Sequence, residues 1–465
     1  MDQTSESRVI AATVTELPRS AAERFSDNVA ARFRAGEDWH EMTYGEIGAA
    51  IDEVALGLIE LGIEAGDRVC ILADTRVEWT ISSYGISAAG AVVVPIYPTN
   101  SPNECKWVIG NSEARAVIVE NREQRAKIEE IRDALPSLEH VIVIDKEGGR
   151  ITGGMSLGEL RERGRGGDRG QLSARAEAID PGDAYTIIYT SGTTGPPKGV
   201  VLSHANAMSV CQMVEEIAFV EPGETTYLYL PLAHAYALTS MLASFDQGTT
   251  IVYYGGDTKK IVEEILGTHP TYLPSVPRIF EKIYTMAMNM QADASDEDKE
   301  RFKQAIKLGV EVRQRQERGE DVPEEMMGPF RQADEQIFAR VRGLFGDKVR
   351  QAVSGAAPIA PEILEFFYAS GVPVMEGWGM TETTAVGTVG TLDAFRFGTV
   401  GRAMPGVEIK IAPEDGEILI KGPNVFREYW RNPEATAETL VDGWLHTGDI
   451  GELDDDGFLK ITGRK

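Results

Sequence analysis

Residues 189–199 read Tyr-Thr-Ser-Gly-Thr-Thr-Gly-Pro-Pro-Lys-Gly, and this glycine-rich stretch decides how the rest of the chain is interpreted. The preceding apolar residues, 184–188, predict a strand, so the stretch is expected to leave the end of that strand. Its glycines let the backbone approach a polyphosphate closely. Its hydroxyls and backbone N–H groups can bind phosphate oxygens, and Lys198 adds a positive charge. The pattern predicts a phosphate-binding loop.

The residues around Lys198 argue against the commonest kind of phosphate loop. The Walker pattern GxxxxGK[ST] needs Gly before the lysine and Ser or Thr after it, whereas Pro197 and Gly199 flank Lys198 here. A P-loop kinase or GTPase is therefore disfavoured. A surface loop without function is the remaining alternative, although such loops rarely place Lys after Pro-Pro. The predicted phosphate-binding residues are Thr190, Ser191, Gly192, Thr193, Thr194, Gly195 and Lys198.

The overall charge limits the classes of partner. The 465 residues include 46 basic and 73 acidic side chains, for a formal net charge of −27. A field of this sign repels nucleic acid, so DNA or RNA binding is not expected. The same field repels ATP, so a nucleotide site would need positive charge placed locally.

The cysteines and the apolar segments favour a cytoplasmic protein. Cys70, Cys105 and Cys211 are odd in number and widely spaced, which predicts free thiols in a reducing compartment. The first residues lack the basic start and apolar core of a secretory signal. The most apolar stretch, 81–98, is interrupted by polar residues and prolines and does not predict a membrane span.

An alternation of β-branched runs with amphipathic patterns predicts an α/β fold. Residues 146–182 are rich in Gly, Arg and Glu with little periodicity, which predicts a loop or a connection between lobes. After the phosphate loop, Ser203 is expected to cap a helix that ends near residue 219. The first series predicts strands at 68–72, 91–96, 116–119 and 141–144, and helices at 78–89, 101–112 and 122–135; the second predicts strands at 227–230 and 250–254.

Two later regions have a different character. Residues 278–345 predict a long helical stretch whose charged middle, 291–325, is expected to be a solvated hairpin. From Gly398 onward the pattern changes to short strands and turns, with a hairpin turn predicted at 454–457. We therefore expect two helix-covered, mainly parallel sheet lobes, at 1–180 and 181–395, followed by a small barrel-like β subdomain at 396–465.

Five further motifs accompany the phosphate loop. They are PLAHAYA at 231–237, SGAAP at 354–358, GWGMTET at 377–383, WLHTGD at 444–449 and GRK at 463–465. In sequence and in order they resemble the signatures of the adenylate-forming superfamily, which includes acyl-CoA synthetases, luciferases and the adenylation domains of peptide synthetases. The resemblance covers the chain from about residue 185 to its end.

The resemblance implies activation of a carboxylate by ATP. Attack on the α-phosphorus brings two anions together, so the site must neutralise charge and stabilise pyrophosphate. Lys198 is expected near the β- and γ-phosphates. Thr190 and Glu382 are the expected ligands of Mg²⁺, which prefers hard oxygen atoms. Thr381 is expected to bind the α-phosphate.

The resemblance also implies where adenosine binds. Gly355, with Ala356 and Ala357, is small enough to let a purine lie against the backbone. Trp378, where the superfamily more often has Tyr, is expected to stack on the ring. Asp449 is implied as the acceptor of the ribose hydroxyls and Arg464 as its partner. The remaining residues assigned to this nucleotide site are Glu376, Gly377, Gly379, Met380 and Thr381.

His234 is implied as the residue that orients the substrate carboxylate where acyl group, phosphate and thiol meet. A buried core histidine is the alternative that the residues themselves leave open. The small apolar residues 235–243 suit an acyl channel and equally suit a buried helix.

Residues 276–284 resemble long-chain fatty acyl-CoA synthetases most closely. The expected function is therefore long-chain fatty acid–CoA ligation with ATP, Mg²⁺ and CoA. Peripheral membrane contact is conceivable for a fatty-acid enzyme, but no basic amphipathic helix supports it. Two alternatives remain: a fatty acyl-AMP ligase that supplies a carrier protein, and a non-catalytic nucleotide- or acyl-binding module.

Members of the superfamily continue past the GRK motif into a mobile C-terminal domain. The sequence stops at Lys465, about where their hinge lies. It is therefore expected to be the large domain without that lid, and to bind ATP and fatty acid while forming acyl-AMP poorly and acyl-CoA negligibly.

Overall fold

The computed structural model describes residues 11–145, 153–190, 195–289 and 295–465, and three β-sheets organise this part of the chain. Two sheets are large, mainly parallel and covered by helices, and the third is small and antiparallel. The predicted α/β fold class is confirmed. Elements are numbered along the chain.

The first large sheet has eight strands. Its central strands pair in parallel and are buried, as their Val- and Ile-rich sequences predict. The order across the sheet is β19 (Glu428–Tyr429), β9 (Lys198–Ser203), β8 (Ala184–Thr190), β4 (Val92–Ile96), β3 (Arg68–Leu72), β5 (Ala116–Val119), β6 (His140–Val143) and β7 (Met155–Ser156).

The second large sheet has nine strands and takes its two ends from distant parts of the chain. Its order is β16 (Arg402–Ala403), β15 (Thr388–Val389), β14 (Val374–Trp378), β13 (Gln351–Ser354), β12 (Tyr272–Ser275), β10 (Thr225–Leu228), β11 (Thr250–Tyr253), β1 (Val29–Ala35) and β2 (Asp38–Thr43). β1 comes from the first lobe as predicted, yet it pairs in parallel with β11. The expected boundary after residue 180 therefore does not separate the two sheets.

The third sheet lies in the predicted β subdomain. It consists of β17 (Glu408–Ile411), β18 (Glu417–Lys421), β21 (Trp444–Leu453) and β20 (Leu440–Val441), with β22 (Leu459–Arg464) paired to β21. The predicted turn at 454–457 joins β21 to β22, and Gly457 adopts φ +81° in it. That backbone conformation favours glycine.

Sixteen α-helices are described. They are α1 (Leu17–Phe25), α2 (Tyr44–Glu60), α3 (Val77–Ala88), α4 (Pro102–Ser112), α5 (Arg122–Ile131), α6 (Leu157–Arg165), α7 (Gly170–Ala178), α8 (His204–Glu216), α9 (Ala235–Gln247), α10 (Ile261–Thr268), α11 (Pro277–Asn289), α12 (Asp296–Glu317), α13 (Glu324–Ala333), α14 (Ala339–Gly343), α15 (Pro361–Ala369) and α16 (Pro433–Thr439). Ser203 caps α8 as predicted, accepting a hydrogen bond from the Asn206 N–H. None of the helices in the described part of the chain is long and apolar enough to span a lipid bilayer.

The largest buried apolar cluster joins both large sheets to α2, α3, α8 and α9. The predicted helical stretch 278–345 contains α11 to α14, with a π-helical turn at Asp334–Phe338. It is less solvated than predicted, because Val312 of α12 packs in a small core with Phe330 and Phe338. Residues 290–294, within its charged middle, lie outside the described residues.

One element prediction is wrong. Residues 146–182 were expected to form a loop or a connection between lobes without regular structure, but α6 and α7 occupy most of the described part of this segment. α6 packs against α2 so closely that a Cβ on Gly164 would lie 1.8 Å from the Glu53 carbonyl oxygen. Glycine therefore permits helix contact here, where the sequence pattern suggested a loop.

Candidate functional site

The phosphate loop closes a β-hairpin. β8 leads into it and β9 leaves it, and the antiparallel pairing of Thr190 with Lys198 brings its two ends together. Gly195 adopts φ +91°, which only glycine accommodates easily. Ser191, Gly192, Thr193 and Thr194, all predicted phosphate-binding residues, lie outside the described part of the chain.

Gly199 has a different role from the one predicted for the loop glycines. It lies within β9, where a Cβ would approach the Ile187 side chain to 2.8 Å and the Tyr189 ring to 3.1 Å. Its missing side chain therefore serves packing inside the hairpin. The indole of Trp107, on α4, donates to the Pro197 carbonyl over 2.9 Å and holds the loop from outside.

The GWGMTET motif forms a tight turn at the end of β14. A Cβ on Gly379 would lie 2.2 Å from the Ala385 carbonyl oxygen, so only glycine fits there. A short 3₁₀ turn, Thr381–Thr383, follows and buries Thr381 and Glu382, which are 8% and 7% exposed. Glu382 forms no ion pair with any residue that the structure describes.

Tyr429, which the sequence analysis missed, connects Glu382 with Lys198. Its hydroxyl donates to Glu382 Oε1 over 2.6 Å, and the Lys198 ammonium lies 5.0 Å from the centre of its ring. Burial and then the charge of Glu382 raise the pKa of the Tyr429 phenol. The two charged residues predicted to act on phosphate and metal are thus brought to one aromatic side chain. No local pattern around Tyr429 in the sequence marks this role.

A cleft of about 1050 Å³ gathers most of the predicted adenosine-binding residues. The indole of Trp378 donates to Asp449 Oδ2 over 2.9 Å, and Arg464 lies 3.8 Å from Asp449 Oδ1. β21 and β22 pair Asp449 with Arg464 directly, so the hairpin sets this contact. The predicted residues on the cleft are Ala356, Ala357, Glu376, Gly377, Trp378, Gly379, Met380, Asp449 and Arg464.

Glu376 is the cleft residue with the most altered acidity. Burial raises the pKa of its carboxyl from 4.5 to about 7, and a backbone N–H of Gly398 offsets part of this effect. At neutral pH this side chain is therefore present in both protonation states.

A second, largely apolar cavity adjoins the cleft. Five residues, Ala356 and Gly377 to Met380, border both spaces. Gly355 lines the apolar cavity, where a Cβ would lie 3.3 Å from the Tyr236 ring. Helices α8 and α9 supply much of the wall, through Val210, Val214, Tyr236, Thr239, Ser240 and Ala243.

His234 lines this apolar cavity at the start of α9. Its Nδ1 accepts a hydrogen bond from the Tyr236 N–H over 3.2 Å, and burial lowers the pKa of its imidazole. The ring is therefore neutral near pH 7 and acts as a helix cap. His234 is not enclosed in the core, because it faces the cavity next to Gly355 and Met380.

The predicted residues thus form three connected groups. Thr190, Gly195 and Lys198 belong to the phosphate loop, Thr381 and Glu382 form the buried turn, and the remaining described ones line the cleft or the apolar cavity. Within the described ranges, no three His, Cys, Asp or Glu side chains cluster as a metal site.

Known proteins of similar sequence are named as long-chain-fatty-acid–CoA ligases. The chain is 37% identical over 437 residues to the long-chain-fatty-acid–CoA ligase FadD15 of Mycobacterium bovis, covering 92% of this chain and 70% of that protein. It is 33% identical to the long-chain-fatty-acid–CoA ligase ACSBG2 of Xenopus laevis, covering 97% of this chain and 63% of that protein.

A solved structure has the same fold. The inhibitor-bound N-terminal domain of FACL13 from Mycobacterium tuberculosis superposes with a TM-score of 0.74 at 27% identity, over 97% of this chain and all of that one. The profile of the AMP-binding enzyme family matches residues 18–430, and the chain belongs to that family.

Proposed function

We propose that this chain activates a long-chain fatty acid with ATP to form acyl-AMP, and that the acyl group is then transferred to CoA. One observation carries the proposal: an apolar cavity opens beside a larger cleft lined by charged as well as apolar residues, and the two share the wall formed by Ala356 and residues 377–380. An amphipathic product, with a nucleotide joined to an acyl chain, fits such a pair of spaces.

The residues around Tyr429 are assigned to neutralise the negative charge of the ATP phosphates. Lys198 is positioned to attract the outer phosphates, and Thr381 to bind the α-phosphate as the carboxylate attacks. Glu382 suits Mg²⁺, because it is a buried carboxylate without a cationic partner among the described residues. Bound Mg²⁺ would neutralise phosphate charge, with Glu382 and Thr190 as its protein ligands.

Adenosine is assigned to the larger cleft. Ala356 and Ala357 leave room for the purine, and the indole of Trp378 provides a flat aromatic surface beside it. Oδ2 of Asp449 accepts the indole N–H of Trp378, and Oδ1 is assigned as the acceptor of a ribose hydroxyl. Arg464 lies close enough to steady this carboxylate.

The acyl chain is assigned to the apolar cavity. His234 stands where the cavity meets the shared wall, so its imidazole can hold the substrate carboxylate near the α-phosphate. The lowered pKa of this imidazole suits it to a neutral hydrogen-bonding role. Thr239 and Ala243 lie one helical turn apart on α9 and also line this cavity. CoA as acceptor, rather than a carrier protein, rests on the relatives named above.

The test is a thermal-shift series with non-hydrolysable acyl-adenylate analogues from about two to about eighteen carbons. We expect stabilisation that grows with acyl length, because each added methylene buries more apolar surface. An optimum at short chains would overturn the fatty-acid assignment. No shift with any analogue, or with ATP and Mg²⁺, would overturn the site itself.

Two variants separate the proposed phosphate contacts. Glu382→Ala should abolish the Mg²⁺-dependent part of ATP binding, and Lys198→Ala should weaken ATP more than AMP. Equal loss of ATP and AMP binding in Lys198→Ala would contradict its placement at the outer phosphates.

A further inference from the structure

Residues 426–430, here called the strap, tie the phosphate loop to the Glu382 turn. At one end the Phe426 N–H donates to the Glu382 carbonyl over 2.7 Å. At the other end the Trp430 N–H donates to the Gly199 carbonyl, also over 2.7 Å. Between them, β19 pairs Tyr429 with Val200 of β9. The strap therefore fixes the separation between two segments that are distant in sequence.

Tyr429 is the only strap residue whose side chain reaches both charged groups in the described structure. The residue is 6% exposed, and its ring packs against Phe426 with 4.8 Å between ring centres. Because the ring is buried and packed against Phe426, the phenol has little freedom to leave Glu382.

The phenol and the ring have separable effects. The hydroxyl occupies Oε1 of Glu382 and so restricts the direction in which the other carboxylate oxygen points. The aromatic face attracts the Lys198 ammonium without neutralising it. A direct ion pair between Lys198 and Glu382 would cancel the two charges that phosphate and metal require, and the structure has none.

We propose that Tyr429 is a positioning residue that orients Glu382 toward the metal of Mg·ATP through its hydroxyl and holds Lys198 beside the phosphate loop through its ring. This proposal rests on the proposed function, and the role follows from the contacts of Tyr429 with Glu382 and Lys198. Tyr429 itself touches neither phosphate nor metal in this scheme.

Tyr429→Phe tests the hydroxyl alone. The binding of ATP to the full chain is followed by thermal shift at a series of Mg²⁺ concentrations, and in EDTA. We expect the Mg²⁺ concentration for half-maximal stabilisation to rise about tenfold, as for loss of a hydrogen bond to a charged group. AMP binding and metal-free ATP binding should stay within about twofold of wild type, because the ring remains.

Tyr44→Phe is the matched control. Tyr44 is buried and donates its hydroxyl over 2.6 Å to the Thr249 carbonyl, away from the site. Its variant should lower the melting temperature without moving the Mg²⁺ midpoint. Tyr429→Leu removes the ring as well, and should weaken ATP binding in EDTA too.

The outcomes distinguish this proposal from the proposed function. If Mg·ATP does not stabilise the wild-type chain, both are overturned. If wild type responds and Tyr429→Phe keeps the wild-type Mg²⁺ midpoint, the positioning role alone is overturned. If the Tyr429→Leu variant does not fold, the comparison of Tyr429→Phe with wild type still tests the positioning role.

Discussion

Replacing Glu376 by Gln is expected to stabilise the protein, and the gain should grow as the pH rises. Burial raises the pKa of this carboxyl from 4.5 to about 7, so the folded protein holds a proton that the unfolded chain releases between these values. The free energy of unfolding therefore falls as the pH rises through this window. Gln cannot ionise and avoids the loss.

The size of the effect follows from the shift. At 1.36 kcal/mol per pKa unit, the charged carboxylate costs about 3 kcal/mol at pH values above about 8. Near pH 5.5 the same linkage leaves a cost of about 1 kcal/mol. For a chain of this length, the larger figure corresponds to a rise in melting temperature of about 3 °C.

The assay is thermal or urea unfolding of wild type and Glu376→Gln at about pH 5.5 and about pH 8.5. Glu417→Gln is a control of opposite sign. Although burial disfavours its charge, hydrogen bonds from His446 and the Gly448 N–H help to hold the pKa of Glu417 below its ordinary value. That variant should lose stability at neutral pH, and the loss should shrink only as the pH falls below the ordinary pKa of a glutamate and through the lowered pKa of Glu417.

The reasoning would be refuted by a Glu376→Gln variant whose stability differs from wild type equally at both pH values. Such a result would mean that amide packing, and not ionisation, dominates the change. A less stable variant at about pH 8.5 would show that the carboxylate has a partner in solution that offsets its burial.

Three further substitutions probe the two cavities. Trp378→Phe keeps an aromatic ring but removes the hydrogen bond to Asp449. ATP binding should weaken up to about tenfold, and the preference for ATP over 2′-deoxy-ATP should become smaller. Titration with both nucleotides checks this, and an unchanged preference would contradict it. Ala243→Phe should fill the apolar cavity, so that long acyl-adenylate analogues lose most of their thermal stabilisation and short ones keep theirs; equal loss for both would point to misfolding. Gly379→Ala places a Cβ 2.2 Å from a carbonyl oxygen and should cost several kcal/mol in urea unfolding, so a loss below about 1 kcal/mol would show that the turn can relax.

Local periodicity was sufficient for much of the fold. The predicted strand at 68–72 and the predicted helix at 78–89 agree with β3 and α3 to within one residue. Both are buried elements whose apolar patterns are set by short-range geometry. The segment 146–182 was misread because Gly and Arg suggest a loop, whereas α6 uses glycine to approach α2.

The site residues likewise divide into those that belong to local motifs and those defined by long-range contacts. The phosphate loop, the Glu382 turn and Asp449 could be predicted as site residues because each belongs to a contiguous motif that resembles a signature of the superfamily. Tyr429 was not found, since its hydroxyl meets Glu382 across 47 residues and nothing near it in sequence marks that contact. The altered pKa of Glu376 was equally invisible, because desolvation depends on what packs around a carboxyl.

The sequence by itself determined the family, the α/β class and the residue types at the site, because these depend on motifs and on short-range periodicity. Only the tertiary structure decided which strands share a sheet, which cavity adjoins the cleft and which side chain stands between Lys198 and Glu382. These are long-range contacts, and their free energy comes from burial and hydrogen bonding between segments that no local pattern relates.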